Sequence, residues 1–360
     1  MVVHICPKQN VSSWSYIEMN KIYSQQGFTL VEFMVAIVLG LLITAAATQL
    51  FLTGQISLNT QRAMADLQES GNFGLRYISN DIRKSNYGNN NIINDRLANG
   101  GIVITTRQTS RFPTIASPTF TVDTIPTNIP DTIPSTVAVP VTSFASNASN
   151  VQVSAVPPAT GKTNQGSDQL VVQFFAEQAG VDCEGNNYTA NRYIIERFFL
   201  RSDSNAISNE PNTTLALACE AGSYVSDDTT ILKNPSTSTV VFGTTAGEIL
   251  VRRVDHLHFL LGISDDTNTT NFRYISIGQY LALNTNPRPR VNSIQVGVLV
   301  RSNESIRENG LVSNSQTYKV LDQNVSIKVP AGNPPKYLRT VITQTIALRN
   351  GLFSQDTAVM

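Results

Sequence analysis

The chain has 360 residues, a formal net charge of zero and a charged fraction of only 14%. This length can hold two ordinary domains or one large one with a substantial core. The balanced charge excludes a general electrostatic attraction to nucleic acid or anionic lipid as the basis of function. Basic side chains form small groups such as Arg252-Arg253, which we interpret as part of a solvated sheet face.

A polar leader opens the chain and ends at Gly27. We interpret residues 1–27 as a leader peptide and Met19 as the true translation start, because the nine residues from Met19 to Gly27 suffice as a leader. Lys21 keeps this N-terminus in the cytoplasm by the positive-inside tendency. A small residue at position 27 lets a peptidase approach the backbone, and a cut there would leave Phe28 as the new N-terminus.

A membrane helix is predicted directly after the leader, because residues 33–61 carry no charged side chain. Residues 28–51 would extend about 36 Å as a helix, which is enough to cross a hydrocarbon core of about 30 Å. Glu32 near its start is unusual, since an ionised carboxylate in lipid costs about 3 kcal/mol and needs a partner. The α-ammonium group of Phe28 on an adjacent, axially offset subunit would neutralise it.

Residues 27–32, with the sequence GFTLVE, resemble the class III signal of type IV prepilins and pseudopilins. The resemblance implies that a prepilin peptidase in the inner membrane cuts after Gly27 and methylates the amine of Phe28. It also implies that Glu32 guides the docking of subunits. The alternative is an ordinary secretory signal peptide cut near the three alanines at 45–47, against which the position of Glu32 argues.

The helical pattern continues beyond the membrane segment. Between Pro7 and Pro113 there is no proline, and small or apolar residues recur at spacings of three or four: Met64, Leu67, Gly71, Leu75, Ile78 and Ile82. We therefore predict one helix over residues 28–87, ended by the Gly88-Asn89 sequence. Glycines within it would soften the helix or allow close contact with another element, at about 1 kcal/mol each relative to alanine.

Residues 113–167 have a different composition, with eight of the sixteen prolines and few charges. We interpret this stretch as an irregular, β-rich insertion that covers one edge of a sheet, with a Pro-rich linker as the alternative. The rest of the chain shows the apolar and polar alternation of strands. Strands are predicted over residues 168–176, 191–200, 248–262, 271–281, 291–301, 318–329 and 338–348.

A long helix laid on an antiparallel sheet predicts an α+β fold, with residues 88–360 as a β-rich globular domain outside the cytoplasm. Cys6 would be lost with the leader, which leaves Cys183 and Cys219 as a pair. In an oxidising compartment a disulfide is the favoured interpretation, with free thiols or redox chemistry as alternatives. Neither thiol has a His or Cys at the spacing of a metal site.

Other candidate sites are weak. His256 and His258 share one side of a predicted strand, and we expect them to face solvent or a second layer, since the apolar residues lie on the other side. A third metal ligand is missing. The oxygen-rich loop of Asp265, Asp266, Asn268 and Asn271 is expected to be a solvated hairpin tip, with a Ca²⁺ site as the alternative. No phosphate loop, nucleophile elbow or Cys–His pairing occurs, so we predict no enzyme and no cofactor.

Several segments are similar to PilW-type minor pilins: residues 80–83, 87–88, 182–186, 218–220, 252–259, 291–301 and 338–350. The resemblance implies a type IV pilin-like fold, with a transmembrane first half of the helix and a globular part packed on its second half. It implies a minor pilin that helps initiate pilus assembly at or near the tip, with a contribution to twitching motility, adhesion or DNA uptake.

The same resemblance implies partners and a location. The partners are the prepilin peptidase, other minor pilins, the major pilin and a PilY-type tip adhesin. The chain would sit in the inner membrane of a Gram-negative bacterium with its C-terminal domain in the periplasm, and later on the pilus at the cell surface. Two alternatives stay open: a J-type minor pseudopilin of a type II secretion system, and a tip adhesin whose Thr/Asn-rich loops bind a surface, glycan or DNA directly.

Overall fold

The computed structural model describes residues 27–88, 99–104, 128–129, 139, 141–144, 167–205, 210, 214–225, 242–243, 245–264, 272–283, 285, 288–306, 312, 316–326 and 335–349. The chain divides into two compact units, of which the first ends at Gln55 and the second begins at Ile56. The leader and most of the Pro-rich stretch lie outside the described residues.

Helix α1 (Leu30–Lys84) has 55 residues, so the prediction of one long N-terminal helix is confirmed with slightly narrower bounds. Arg83 and Lys84 occupy its last turn, where a positive charge interacts favourably with the helix dipole. Asn86 and Gly88 follow with φ values of 66° and 69°, a conformation that stops a helix and that asparagine and glycine tolerate best.

The described part of the second unit contains twelve strands and one short helix, α2 (Ile277–Leu281). The strands are β1 (Leu170–Ala176), β2 (Gly180–Val181), β3 (Asn187–Tyr188), β4 (Arg192–Ser202), β5 (Leu215–Tyr224), β6 (Glu248–Arg252), β7 (Val254–Ser264), β8 (Phe272–Ser276), β9 (Arg290–Ile306), β10 (Thr317–Val320), β11 (Gln323–Ser326) and β12 (Lys336–Ala347). They form four-stranded sheets in the orders β1-β4-β5-β6 and β12-β9-β7-β8, together with the pairs β2-β3 and β10-β11. All pairings are antiparallel, which confirms the α+β class.

The single predicted strand over residues 248–262 is wrong, because it is two strands in two different sheets. Arg253 separates β6 from β7 with a φ of 59°, a left-handed conformation that turns the chain out of the first sheet and into the second. Hydrophobic alternation alone does not show such a break. The expected single sheet is therefore a pair of sheets that meet at this residue.

Two other predicted strands are also interrupted. Residues 277–281 form α2 rather than strand, because Ser276 and Gln279 make a capping box that starts a helix. Residues 318–329 contain the hairpin β10-β11, whose turn includes Leu321 with a φ of 55°. Strand β5 was not predicted. Both of its faces are buried, so its sequence lacks the regular apolar and polar alternation of a strand with one face in solvent.

The main core lies between the second half of α1 and the inner faces of both four-stranded sheets. Leu67, Leu75, Ile78 and Ile82 on one face of α1 belong to the same buried cluster as residues of both sheets. Gly71 and Gly74 sit on this face, and a Cβ atom there would collide with Ile342 and Val251 respectively. The close approach of helix and sheets therefore depends on these two glycines.

Gly74→Ala is expected to lower the free energy of unfolding of the second unit by about 1 to 2 kcal/mol. Overpacking against Val251 costs about 1 to 3 kcal/mol, of which the better helix propensity of alanine offsets about 1 kcal/mol. Urea unfolding of the full chain in detergent measures the effect. Gly54→Ala is the matched control, because nothing lies within 4 Å of the added Cβ; an equal loss in both variants would contradict the packing explanation.

Candidate functional site

The predicted cut site precedes α1 directly. Gly27, Phe28 and Thr29 lie outside the helix, and the side chain of Phe28 is 88% exposed. Nothing lies within 4 Å of a Cβ atom added at Gly27. None of the described residues therefore covers the peptide bond between Gly27 and Phe28.

Glu32 has a local role that the sequence interpretation missed. The amide N–H of Glu32 donates to the hydroxyl oxygen of Thr29, while the amide N–H and hydroxyl of Thr29 donate to Oε2 of Glu32, each over 3.3 Å. This arrangement is a capping box, which satisfies amide groups at the start of a helix that have no partner within the helix. The T-x-x-E spacing in GFTLVE was the available signal.

Glu32 stays exposed within the capping box. The structure places this carboxylate beside the amide of Thr29, one residue from Phe28, on a turn that would remain after cleavage. Helix α1 is the helix among the described residues that is long and apolar enough to cross a membrane, with a mean hydropathy of 2.5 in its most apolar window. Its apolar side chains in the first unit are exposed, which is the pattern of a lipid-facing or subunit-facing helix.

Cys183 and Cys219 form a disulfide, with 6.1 Å between their Cα atoms. The bond ties the segment between β2 and β3 to the middle of β5. Both cysteines are buried, and the amide N–H of Cys183 donates to Oε1 of Glu196 over 3.1 Å. Burial raises the pKa of Glu196 well above its usual range, and the nearby Asp81 raises it further.

Acidic side chains surround this disulfide. Burial raises the pKa of Glu184 to about 7, although its Oε2 accepts a hydrogen bond from the amide of Ala221. Asp81 forms an ion pair of 2.7 Å with Lys84 at the end of α1. The disulfide segment therefore covers a group of carboxyls that would be exposed to water if the segment detached.

His256 and His258 on β7 are buried, so the expectation that they face solvent is wrong and the second-layer alternative holds. Nδ1 of His258 lies 2.6 Å from Oδ2 of Asp168, and its Nε2 lies 2.7 Å from Oδ1 of Asp322. Nε2 of His256 lies 2.9 Å from Oε1 of Gln323. The two histidines thus join the β10-β11 turn to the residues that lead into β1.

The two histidines have opposite pKa shifts. Burial lowers the pKa of His256 to about 4. Burial also disfavours charged His258, but its hydrogen bonds to Asp168 and Asp322 outweigh this and raise its pKa to about 9. At neutral pH, His258 is therefore an imidazolium held between two carboxylates, and His256 is neutral.

Stability is expected to fall by about 2 to 3 kcal/mol as pH rises from about 6.5 to 9. His258 has a folded pKa above its unfolded value, so its contribution is complete below about 6.5 and is lost as pH rises through 9. Urea unfolding at several pH values measures this slope. His258→Gln should abolish most of the slope, whereas His256→Gln should leave it in place; a slope that persists in His258→Gln would contradict the assignment.

No group of three or more His, Cys, Asp or Glu side chains in the described ranges is arranged to hold a metal ion. The loop of Asp265, Asp266, Asn268 and Asn271, predicted as a solvated hairpin tip with a Ca²⁺ site as the alternative, lies outside those ranges. His256 and His258 engage Gln323, Asp168 and Asp322 instead of a metal, in a polar network that belongs to the fold.

Comparison with known families finds two matching ranges. Residues 207–350 match the family PilW, described as Type IV Pilus-assembly protein W. Residues 22–48 match the prokaryotic N-terminal methylation motif. Over these two ranges the chain is similar to PilW-type pilins. This confirms the resemblance drawn from the cut site, from Glu32 and from the C-terminal strands.

A solved structure is similar to part of this chain. The type IV-like pilin TTHA1219 from Thermus thermophilus has 10% sequence identity and a TM-score of 0.22, covering 54% of this chain and 80% of that one. A likeness at this level carries no weight for fold or function. Comparison with curated proteins found no match.

The family is one of structural pilins rather than enzymes. The N-terminal methylation motif and the apolar helix of this chain fit a membrane-anchored pilin. Such a pilin is processed by a prepilin peptidase and assembles with other pilins. The family match begins at residue 207, so it includes β5, the histidines of β7 and the closing strand β12.

Proposed function

We propose that this chain is a minor subunit of a type IV pilus that helps initiate assembly and lies at or near the pilus tip. The observation that carries the proposal is the joint presence of the methylation motif, with Glu32 at its fixed spacing, and a PilW domain on one chain. The large β-rich unit supports an initiating role, because bulk is easier to accommodate where few copies are packed.

The processing steps follow from the N-terminal residues. The prepilin peptidase cuts after Gly27, which removes residues 1–27. The same enzyme then methylates the amine of Phe28. Residues 28–51 then hold the chain in the inner membrane, and residues 88–360 lie in the periplasm until the subunit enters a pilus at the cell surface. The exposed Gly27-Phe28 bond supports this order of events.

Assembly then uses the charge of Glu32. Within lipid its carboxylate pairs with the Phe28 amine of a neighbouring pilin, since an unpaired charge there costs about 3 kcal/mol. The neighbours are other minor pilins and the major pilin, with a PilY-type adhesin at the tip. Twitching motility, adhesion or DNA uptake then depend on this subunit through the pilus it starts.

Mass spectrometry of the native protein tests the processing step, with a chain that begins at methylated Phe28 as the expected result. A chain that begins after residue 47 would lack the Phe28 amine that is proposed to pair with Glu32. That result would contradict the proposal. Deletion of the gene tests the assembly step and should abolish surface pili and twitching while leaving enzyme secretion intact. Loss of secretion with normal pili would instead identify a J-type pseudopilin.

A tip adhesin is the alternative of a different class. Deletion mutants in which pili are restored by other means distinguish an adhesin from an assembly factor. If this chain is the adhesin, pili that lack it should fail to bind their surface, glycan or DNA target. Pili that form normally without this chain but fail to adhere would contradict the initiating role.

A further inference from the structure

The disulfide stands at the tip of a small hairpin, which we call the disulfide hairpin and define as residues 180–188. Its strands β2 and β3 pair with each other and form a two-stranded sheet of their own. In the turn between them, Oδ1 of Asp182 accepts from the amides of Glu184 and Asn186 over 3.0 and 2.8 Å. The amide of Asp182 donates in turn to the carbonyl of Asn186 over 2.9 Å. Because these bonds lie inside the hairpin, it can shift as one unit.

The hairpin is attached to β4 and β5 through its tip. Cys183 forms the disulfide with Cys219, and its amide N–H donates to Oε1 of Glu196 over 3.1 Å. In the opposite direction, Oε2 of Glu184 in the hairpin accepts from the amide N–H of Ala221 over 3.1 Å. One carboxyl on each side of the contact therefore holds the hairpin in place next to the disulfide.

Glu196 lies in a site that disfavours its ionised form. Its side chain is fully buried, and its Oε2 makes no hydrogen bond with any described residue. Burial raises the pKa of Glu196 most, and Asp81 of α1 and Asp182 of the hairpin raise it further. Lys84 of α1 and the hydrogen bond from Cys183 act in the opposite direction without outweighing burial. The carboxyl is therefore held in its protonated form well above the pH at which an exposed glutamic acid ionises.

The surroundings offer little charge compensation for an ionised Glu196. The ammonium group of Lys84 already pairs with Asp81 over 2.7 Å. Asp182 is buried as well, and its Oδ2 makes no hydrogen bond with any described residue. Ionisation of Glu196 would thus place a third carboxylate beside one ammonium group, in a region of low dielectric where such charges repel strongly.

Glu184, the second carboxyl that holds the hairpin, also resists ionisation. Burial raises the pKa of Glu184 to about 7. Three neighbouring carboxyls contribute to this shift: Asp182, Glu220 and Glu248. Tyr77 of α1 and Tyr188 of β3 also face this region, and burial raises the pKa of both hydroxyls, so they stay neutral where the carboxyls titrate.

We propose that the disulfide hairpin is a pH-sensitive clip, which stays closed on β4 and β5 while Glu196 carries a proton and loosens when Glu196 ionises. A protonated carboxyl still accepts from the amide of Cys183 and is tolerated in a buried site. An ionised carboxyl is not, and movement of the hairpin lets water reach it. The disulfide keeps the loosened hairpin tethered to β5, so the change is local and reversible. The clip does not depend on the role of Glu32 or on pilus assembly.

The clip should close in acid and loosen in alkali. Glu184 and Glu196 both have folded pKa values above their unfolded value of about 4.3, so their stabilisation is complete below that pH. It is lost as pH rises through the folded pKa of each group, which for Glu184 is about 7. A shift of one pKa unit corresponds to about a tenfold change in the equilibrium between the closed and the loosened hairpin.

Hydrogen exchange of the full chain in detergent, read by mass spectrometry, tests the proposal. After correction for the intrinsic pH dependence of amide exchange, the hairpin amides should exchange at least about tenfold faster at pH 9 than at pH 5. Glutamine mimics a protonated carboxyl, so the double variant Glu184→Gln, Glu196→Gln should change less than about twofold over this range. Glu177→Gln is the matched control, because Glu177 is exposed directly before the hairpin and should leave the wild-type change in place.

A second readout uses the wild-type chain alone. Reduction of the Cys183–Cys219 bond by a water-soluble phosphine, relative to oxidised glutathione in the same buffer, should also accelerate at least about tenfold from pH 5 to pH 9. Exchange of the buried amides of β9 serves as the reference for global unfolding. The proposal would be overturned by an absent change in the hairpin, by a change that persists in the double variant, or by an equal change in β9.

Discussion

Cells that produce only Glu32→Gln are expected to have at least about tenfold fewer surface pili than wild type, or none. Glutamine at the third position of a helix keeps the capping box, so α1 begins as before. It has no charge to offer the Phe28 amine of a neighbour, and an unpaired ammonium in lipid costs about 3 kcal/mol, which is about a hundredfold in an assembly equilibrium. Pilus counts by electron microscopy measure the result.

Thr29→Ala is the matched control for this variant. It removes the hydroxyl group that accepts from the amide of Glu32 and costs about 1 kcal/mol of helix stability. It leaves the carboxylate in place, so pili should form in nearly normal numbers. The opposite outcome, with normal pili for Glu32→Gln and few for Thr29→Ala, would show that Glu32 acts as a helix cap and not as a charged docking group.

Cys183→Ser removes the Cys183–Cys219 disulfide and is expected to lower the free energy of unfolding by about 4 kcal/mol. The bond closes a loop with a sequence separation of 36 residues, and the chain-entropy relation gives this magnitude for such a loop. Strand β4 lies within that loop, together with buried Glu196. Once the segment detaches, water reaches Glu196 and lowers its raised pKa toward the ordinary value, so the loss of stability at high pH that this buried carboxyl causes should be smaller in the variant.

Urea unfolding of the full chain in detergent measures this loss. Cys6→Ser is the control, since Cys6 is the remaining cysteine of the chain and lies in the predicted leader. It should leave both the processed protein and its stability unchanged. A Cys183→Ser protein with wild-type stability, or an equal effect of dithiothreitol on wild type and on Cys183→Ser, would contradict a structural role for the bond.

The two glycines of α1 illustrate what a linear pattern shows and what it leaves open. From the sequence, Gly71 and Gly74 each lower the stability of the helix relative to alanine. Close contact with another element was one predicted reason for glycine at these positions. Only the packed structure identifies Ile342 and Val251 as the residues that require it. These contacts join positions far apart in the chain, which no local spacing encodes.

The break at Arg253 shows a similar limit. Apolar residues alternate through positions 248–262 as they do in one long strand, and both halves are in fact strands. The left-handed conformation of one residue divides them between two sheets. An arginine gives no local signal for that conformation. The side chain of Arg253 pairs with Asp203 and Glu210, which lie elsewhere in the chain.

The sequence by itself determined the N-terminal motif of this protein: the predicted cut site, the apolar helix and an acid at fixed spacing all lie within a short local stretch, where helix geometry sets the distances. The tertiary structure alone decided the roles of His258 and Arg301. Asp168 and Asp322 stand 90 and 64 positions from His258, and Glu210 stands 91 positions from Arg301. Charge and pKa in a buried site depend on such distant neighbours, and only folding brings them together.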